Sequence, residues 1–282
     1  MAKGEKLLTG IFGDPIAHSL SPAMHNAAYA ALKLNGLYVP FRVRRENLTD
    51  AVRAVPALGM AGVNVTLPHK FEAAKLMDQL SPAARLLGAV NCIVNRRGNL
   101  FGDNTDVRGL ELDLRELGVV VKNESVMVIG AGGGAAAAIM ASLKLGASQI
   151  VLVNRTYERA QVLSRRFARK RIKPYPLKAL LDGELLGEQS LIINATSVAT
   201  TGQRFPALAY GSTKPKCFFY DLSYSRDPTP FLKPALELAR PCADGRGMLL
   251  QQGALAFRLF NRVSPPLEAM REALYSSLEK QG

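Results

Sequence analysis

Short apolar runs alternate with longer amphipathic segments along the first hundred residues of the chain. The runs "LTGIFG", "YVPFRV" and "GVNVTLP" are apolar and short, which predicts three strands. The segments between them, "SPAMHNAAYAALKLNG" and "NLTDAVRAVPALG", have the spacing of helices. The stretch "AVNCIVNRRGNLFGDNTD" predicts a β-hairpin that turns at Arg97-Gly98 and ends in a polar loop. This part of the chain therefore alternates strands and helices.

Residues with known capping preferences predict where the first two helices begin and end. Ser21 is the expected N-cap of the first helix, Pro22 takes its first position, and Gly36 follows its last turn. Asn47 or Thr49 is the expected N-cap of the second helix.

From Val107 onward the pattern repeats strand, turn and helix. "ESVMVIGAGGGAAAAIMASLKLGA" contains all three, and "QIVLVNRT", "LIINATS" and "CFFYDLSY" add strong strands. Short pieces near Pro174–Pro176 and Cys242–Ala243 are candidate edge strands. Such alternation predicts an α/β fold in which this second unit is a Rossmann-like doubly wound parallel sheet, and a length of 282 residues suits one large domain or two modest ones. From Met248 on, two closing helices are expected, and the pattern alone does not say which domain they pack on.

Composition removes several classes of protein. The chain has 282 residues and is 48% hydrophobic, enough for a substantial core. The longest small-apolar run, Ile129 to Leu143, is closed by Lys144 and falls short of the ~20 residues of a membrane span. The start of the chain lacks the apolar core of a secretory signal, and the three cysteines are widely spaced. We therefore expect a cytoplasmic protein without a membrane or metal partner.

The formal net charge of +13 raises the possibility of nucleic-acid binding. Basic clusters occur at Arg42 to Arg45 and at Arg165 to Lys173, but neither is interleaved with aromatic residues. A solvated helix face, or attraction of an anionic small molecule, accounts better for this charge. We expect no nucleic-acid partner.

A glycine-rich turn indicates a nucleotide site. Gly130, Gly132 and Ala135 fit the pattern G-x-G-x-x-[GA] between the strand "VMVI" and an Ala-rich helix. The first glycine permits a tight turn, the second lets the backbone approach a pyrophosphate, and the small third residue lets helix and strand pack closely. The phosphates would then face the helix N-terminus.

The end of the next strand indicates which dinucleotide is bound. A site for NAD usually has Asp or Glu there, whereas this chain has Asn154-Arg155-Thr156. Arg155 would pair with the 2′-phosphate of NADP, and Arg159 would add a second contact one helical turn later. The sequence therefore predicts NADP(H) rather than NAD.

Three further motifs carry polar groups that suit a small substrate. "HSLSPAMHN" puts Ser19 and Ser21 at a helix N-terminus, a natural place for a carboxylate. "VNVTLPHK" ends in Lys70, and "GDNTD" ends in Asp106. A lysine and an aspartate at the ends of separate segments are a candidate acid/base pair, although spacing alone does not show that they meet.

Taken in order along nearly the whole chain, the motifs resemble the shikimate dehydrogenase family. They are "HSLSPAMHN", "GVNVTLPHK", "GAVNC", "GDNTD", "GAGG", "NRT", "NATS", "YDLSY", "TPFL" and "GMLLQQGALAF". The resemblance implies NADPH-dependent reduction of 3-dehydroshikimate to shikimate, in aromatic amino-acid biosynthesis. It also implies a substrate-binding and catalytic domain over 1–106, an NADP-binding domain over 107–247, and C-terminal helices over 248–282 that return to the substrate domain.

The resemblance assigns roles to individual residues by their place in the motifs. Lys70 is implied as the catalytic acid/base and Asp106 as its partner, while His69 is expected to pack rather than react. The implied substrate-binding residues are Ser19, Ser21, Asn64, Thr66, Asn91, Tyr224 and Gln252. The implied cofactor-binding residues are Gly130, Ala131, Gly132, Gly133, Gly134, Asn154, Arg155, Thr156, Arg159, Thr196, Ser197, Leu222 and Gly245.

Two departures from the family pattern and three alternatives stay open at this point. The loop Val198–Gly202 lacks the family's usual turn, and Arg246 stands where many members have an uncharged residue. Arg246 could decorate the surface or add to an anion field near the cofactor. The alternatives are a quinate or dual quinate/shikimate dehydrogenase, an inactive nucleotide-binding sensor, and a basic nucleic-acid-binding protein. Either a monomer or a homodimer fits the sequence.

Overall fold

The computed structural model describes residues 7–167, 171–196, 198 and 204–280. The chain divides into two compact units. The first unit comprises Met1–Gly109 and Leu249–Gly282, and the second comprises Leu110–Met248. No helix in the described ranges is long and apolar enough to cross a membrane.

The first unit is built on a mixed six-stranded sheet. Its strands are β1 (Leu7–Gly13), β2 (Gly36–Arg42), β3 (Gly62–Val65), β4 (Gln79–Leu80), β5 (Cys92–Arg96) and β6 (Asn99–Asp103). They lie in the order β2-β1-β3-β5-β6-β4, with β5 antiparallel to both of its neighbours. The predicted hairpin is confirmed as β5–β6, and Arg97 and Gly98 turn it with φ values of 56° and 94°.

Helices of the first unit cover this sheet. They are α1 (Ser21–Ala31), α2 (Leu48–Ala57), α3 (Lys70–Lys75), α4 (Pro82–Leu87), α5 (Thr105–Glu116), which continues into the second unit, and the two C-terminal helices named below. Val52 and Val55 of α2 and Ala73 of α3 pack against Val63 and Val65 of β3 in one buried cluster. Burial on both faces explains why β3 reads as a continuous apolar run around Asn64.

The predicted ends of α1 were wrong in two respects. Leu20, not Ser21, is the N-cap residue, and the hydroxyl of Ser19 accepts from the backbone N–H of Ser21 at 3.3 Å. The helix ends at Ala31 because Lys33 adopts a positive φ of 52°. Gly36 opens β2 instead, where a Cβ would lie 2.2 Å from the ring of Tyr29. The glycine therefore serves close packing of strand on helix rather than helix termination.

The second helix begins where one of the two predicted caps stands. Asn47 is the N-cap residue of α2, and a short 3-10 turn over Arg45–Asn47 leads into it. The Asn47 side chain makes no capping hydrogen bond, so its position was right but the predicted mechanism was not.

The second unit is a fully parallel six-stranded sheet. Its strands are β7 (Ser125–Ile129), β8 (Gln149–Asn154), β9 (Ile172–Pro176), β10 (Gln189–Asn194), β11 (Phe218–Asp221) and β12 (Cys242–Ala243). They lie in the order β12-β11-β10-β7-β8-β9, so the two predicted edge strands are the outermost ones. Its helices are α6 (Gly133–Lys144), α7 (Tyr157–Arg166), α8 (Gly183–Gly187) and α9 (Lys233–Glu237). Two C-terminal helices follow: α10 (Arg246–Asn261) begins in the second unit and continues into the first, and α11 (Leu267–Glu279) belongs to the first unit.

Strand order fixes where the second unit can bind a ligand. β7 lies between β8 and β10. After β7 the chain adds β8 and β9 on one side of it, and then adds β10, β11 and β12 on the other side. A parallel sheet that reverses its order in this way opens a crevice at the carboxyl ends of the two central strands. The glycine-rich turn after β7 and the "NATS" segment after β10 both begin at that edge.

Candidate active site and nucleotide site

Lys70 and Asp106 form an ion pair in the first unit. Lys70 is the first residue of α3, and Asp106 lies in the first turn of α5. The Lys70 Nζ donates to Asp106 Oδ2 at 2.6 Å, and the side chains are 17% and 7% exposed. The sequence could not show that these residues meet. The structure brings them together with the ammonium as the more accessible partner.

Asn91 fixes the orientation of the Asp106 carboxylate. Its Nδ2 donates to Asp106 Oδ1 at 2.7 Å and to Thr105 Oγ1 at 2.9 Å. Its Oδ1 accepts from the backbone N–H of Thr105 at 2.7 Å. Gln252 Oε1 lies 3.4 Å from the same Nδ2, at the edge of hydrogen-bonding distance. With both carboxylate oxygens occupied by donors, Asp106 is held in one orientation.

Asn64 extends this polar cluster along β3. Its Nδ2 donates to the backbone carbonyl of Asn91 at 3.0 Å, and its Oδ1 accepts from the Tyr38 hydroxyl at 2.9 Å. Burial raises the pKa of Tyr38 well above its ordinary value, so the hydroxyl stays a donor. Thr66 follows β3 and donates its backbone N–H to Phe12 O at 2.9 Å. Tyr38 and Thr105 were not among the predicted site residues, because neither lies at a sequence position that marks it as part of a site.

His69 is buried beside Lys70 and is bonded to the backbone. It is 1% exposed, and its Nε2 lies 2.6 Å from the carbonyl of Val43. A carbonyl only accepts, so Nε2 carries the proton and donates it. The expected packing role agrees with this geometry, because the ring is hydrogen-bonded to the segment that follows β2.

The glycine-rich turn of the second unit has the geometry that a pyrophosphate requires. Gly130 has a φ of +121°, and a Cβ there would lie 2.9 Å from Ala195 O. Gly132 is the N-cap residue of α6, and a Cβ there would meet no atom of the other described residues within 4 Å. Ala135 is fully buried against the sheet. The open space over Gly132, at the N-terminus of a twelve-residue helix, suits an anionic group.

The residues predicted to bind the 2′-phosphate of NADP lie at the end of β8 and the start of α7. Asn154 Nδ2 donates to Thr156 O at 2.7 Å, and Thr156 is the N-cap residue of α7. Arg155 and Arg159 are both exposed. This short loop is held by its own asparagine, which leaves both guanidinium groups accessible to a ligand.

A buried carboxylate orders the turns after β10 and β11. Asp221 accepts from Thr229 Oγ1 at 2.6 Å, from Ser223 N at 2.9 Å and from Asn194 Nδ2 at 3.0 Å. Asn194 Oδ1 in turn accepts from Thr196 Oγ1 at 2.7 Å. Burial raises the pKa of Asp221, and the three donors oppose that rise.

The remaining cofactor-side predictions lie close to this network. Gly245 fits tightly, because a Cβ there would lie 2.3 Å from Leu222 O. Tyr224, predicted to bind substrate, follows β11 in the second unit. Ser197 and most of the Val198–Gly202 loop lie outside the described residues. Arg246 donates to Asp244 Oδ1 at 2.8 Å, so its charge is paired within the chain.

A second buried acid in this unit has no counterpart among the predictions. Asp113 of α5 accepts a short hydrogen bond from the Tyr220 hydroxyl on β11. A Cβ on Gly247 would lie 1.9 Å from Asp113 Oδ1, so only glycine fits beside it. Burial raises the pKa of Asp113 to about 6, the nearby charges of Glu116 and Asp244 add to the rise, and the bonds from Tyr220 and from Met248 N oppose it.

Three family profiles match successive parts of the chain. They are described as the shikimate dehydrogenase substrate binding domain, over residues 11–93, shikimate/quinate 5-dehydrogenase, over 111–234, and the shikimate 5′-dehydrogenase C-terminal domain, over 245–275. The chain is also 38% identical, over 99% of its length and 98% of the relative's, to the NADP(+) shikimate dehydrogenase of Citrifermentans bemidjiense.

The chain belongs to the shikimate dehydrogenase family.

Solved structures of this family superpose on nearly the whole chain. The shikimate 5-dehydrogenase of Thermus thermophilus, in complex with NADP(H) and shikimate, is 35% identical, with a TM-score of 0.86 over 96% of this chain and 100% of that one. The quinate dehydrogenase of Corynebacterium glutamicum, in complex with NAD, is 28% identical, with a TM-score of 0.88 over 96% of this chain and 100% of that one. The predicted two-domain α/β fold is confirmed.

Proposed function

We propose that this chain is an NADP-dependent oxidoreductase that interconverts 3-dehydroshikimate and shikimate. The observation that carries the proposal is the Lys70–Asp106 ion pair, held by Asn91 inside a cluster of buried amides and hydroxyls. Relatives whose names state this NADP-linked activity span nearly the whole chain. We further propose a cytoplasmic monomer or homodimer that acts on this small molecule without a nucleic-acid partner.

Lys70 is the proposed proton donor for ketone reduction. When bound, NADPH supplies the hydride that this reduction needs. Negative charge then develops on the substrate oxygen, and the Lys70 ammonium stabilises that charge and gives the oxygen a proton. Asp106 holds the ammonium in place by its 2.6 Å hydrogen bond. In the reverse direction the neutral amine takes the proton from the hydroxyl.

The surrounding polar groups orient the substrate in this proposal. Ser19 and Ser21 stand at the start of α1, where hydroxyls and backbone N–H groups suit a carboxylate. Asn64, Asn91 and Gln252 supply amides that suit ring hydroxyls. Asn64 and Asn91 are already bonded to each other and to Tyr38 or Asp106, so their orientation is set before a ligand arrives.

Cofactor choice in this proposal rests on Arg155. No carboxylate directly follows Asn154 at the end of β8 to bind a ribose 2′-hydroxyl, and Arg155 and Arg159 are exposed there instead. A guanidinium pairs with a 2′-phosphate through two parallel hydrogen bonds. The open approach over Gly132 leaves room for the pyrophosphate of the same cofactor.

A four-way comparison tests the choice of substrate and cofactor. Rates of oxidation are followed at 340 nm with shikimate or quinate, each with NADP⁺ or NAD⁺. We expect the highest kcat/KM for shikimate with NADP⁺. A higher value for quinate with NAD⁺ would assign the chain to the activity named for the Corynebacterium glutamicum neighbour.

A further inference from the structure

Three arginines surround one surface pocket of the first unit. The pocket has a volume of about 460 Å³ and is lined by Val94, Arg96, Arg258, Leu259 and Arg262. Arg96 ends β5, Arg258 lies in the last turn of α10, and Arg262 follows that helix with a φ of 57°. The positive charges therefore converge from a strand and a helix end that are far apart in sequence.

The pocket is partly preorganised. The Arg96 guanidinium lies 3.6 Å above the centre of the Phe101 ring, and this cation–π contact restricts its side chain. Val94 is 7% exposed, so it forms part of a packed wall rather than a mobile surface. Val94 and Leu259 give the pocket an apolar side beside its basic one.

In the part of the chain that the structure describes, the three arginines of this pocket have no carboxylate partner. Within the described ranges, none of the three arginines lies within 4.0 Å of a carboxylate, unlike Arg42 with Asp14 or Arg115 with Glu111. The helix dipole of α10 favours a cation in its last turn, which explains Arg258 there. The dipole does not explain Arg96, because that residue lies on a strand. Three guanidinium groups around one space repel one another, and a bound multivalent anion would relieve that repulsion.

We propose that this pocket binds a small phosphorylated metabolite, separate from the nucleotide of the second unit. Guanidinium groups match phosphate oxygens through paired hydrogen bonds, which favours phosphate over a single carboxylate. The volume lies within the range of small-ligand sites, and the apolar side would contact the carbon skeleton. The site does not depend on the proposed dehydrogenase activity.

Pyrophosphate is the probe for this site, and calorimetric titration is the measurement. Because Arg155 and Arg159 are themselves predicted to bind phosphate, the titration uses the full chain with Arg155→Gln and Arg159→Gln. We expect one pyrophosphate site with a Kd below ~1 mM. Adding Arg96→Gln and Arg258→Gln should weaken binding at least ~10-fold, whereas the charge-matched pair Arg44→Gln and Arg45→Gln should change it less than ~2-fold.

Three outcomes would overturn the proposal. The first is that pyrophosphate does not bind to the protein that carries Arg155→Gln and Arg159→Gln. The second is that the control pair, Arg44→Gln and Arg45→Gln, weakens pyrophosphate binding as much as the pocket pair does. The third is that the protein shifts DNA in a gel and that Arg258→Gln abolishes this shift without changing pyrophosphate binding. The single variant Arg258→Gln, with its melting temperature recorded, repeats the test if the quadruple variant fails to fold. Activity with shikimate is measured separately, so failure of the proposed function would not alter these readings.

Discussion

The surroundings of Lys70, rather than its residue type, support its role as the proton donor. His69, its neighbour, is of the residue type most often used for acid/base chemistry, but its ring is buried and hydrogen-bonded to Val43 O. Lys70 points to Asp106 and remains 17% exposed. The hydrogen bonds of these two adjacent residues agree with the different roles that the family resemblance implies for them.

Replacing Lys70 by alanine tests its role as proton donor. We expect kcat to fall at least ~100-fold with a much smaller change in KM, because the ammonium acts on charge that develops in the transition state. Lys75→Ala is the matched control, since Lys75 ends the same helix and pairs with exposed Glu72. Steady-state kinetics are measured for both variants. If kcat of Lys70→Ala stayed near that of the unmodified protein, Lys70 would not be the proton donor.

Arg155 is predicted to set cofactor choice. Arg155→Gln should lower kcat/KM for NADPH by about tenfold or more and leave the value for NADH nearly unchanged, because only NADPH carries the 2′-phosphate. Arg165→Gln, in the last turn of α7, removes one positive charge at the opposite end of that helix and serves as the control. Equal losses with both cofactors would argue against a contact with the 2′-phosphate.

Asp113 is predicted to make stability depend on pH. A carboxyl whose pKa rises to about 6 on folding binds its proton more tightly in the folded state. Its contribution to stability is complete below its ordinary pKa of about 4, and it is lost as the pH rises through 6. The expected loss is up to roughly 3 kcal/mol.

Asp113→Asn measures this contribution, because asparagine still accepts from Tyr220 but does not titrate. Urea unfolding at pH 4.5 and pH 7.5 should show that the unmodified protein loses more stability than the variant over this interval. Glu158→Gln, at an exposed carboxylate of α7, serves as the control for the loss of one negative charge. If the two proteins changed in parallel, Asp113 would titrate outside this window.

At the scale of elements, the turn between β7 and α6 joins local conformation to binding. Gly130→Ala should destabilise the fold, because its φ is +121° and its Cβ would meet Ala195 O at 2.9 Å. Gly132→Ala should leave the melting temperature nearly unchanged and raise the KM for NADPH at least ~10-fold, because the methyl group would occupy the approach to the pyrophosphate. Normal cofactor affinity in Gly132→Ala would contradict the assigned position of the phosphates.

The sequence predicts elements better than it predicts their ends. Buried parallel strands such as β7 and β10 are continuous apolar runs, so their pattern is plain. The ends of α1 are set instead by a backbone N–H that bonds to Ser19 and by a positive φ at Lys33. These are conformational choices that many sequences allow, and residue preferences indicate them weakly.

At the scale of the whole molecule, the sequence places motifs but not the contacts between them. The bonds that order the site join residues distant in the chain, from Tyr38 to Asn64 and from Lys70 to Asp106, separated by 26 and 36 positions. The structure divides its two units inside α5 and α10, at Leu110 and Met248, and a helical pattern shows no break there. Family resemblance pointed to Asn91 and Gln252, whereas Tyr38, Thr105 and Asp221 required coordinates.

Reduction of 3-dehydroshikimate by NADPH is the most direct test of the central claim. Loss of absorbance at 340 nm is followed with purified protein, and the product is identified by chromatography against shikimate. We expect NADPH consumption that depends on the ketone, with one mole of shikimate formed per mole of NADPH consumed. Binding of NADPH without any turnover of 3-dehydroshikimate would contradict it.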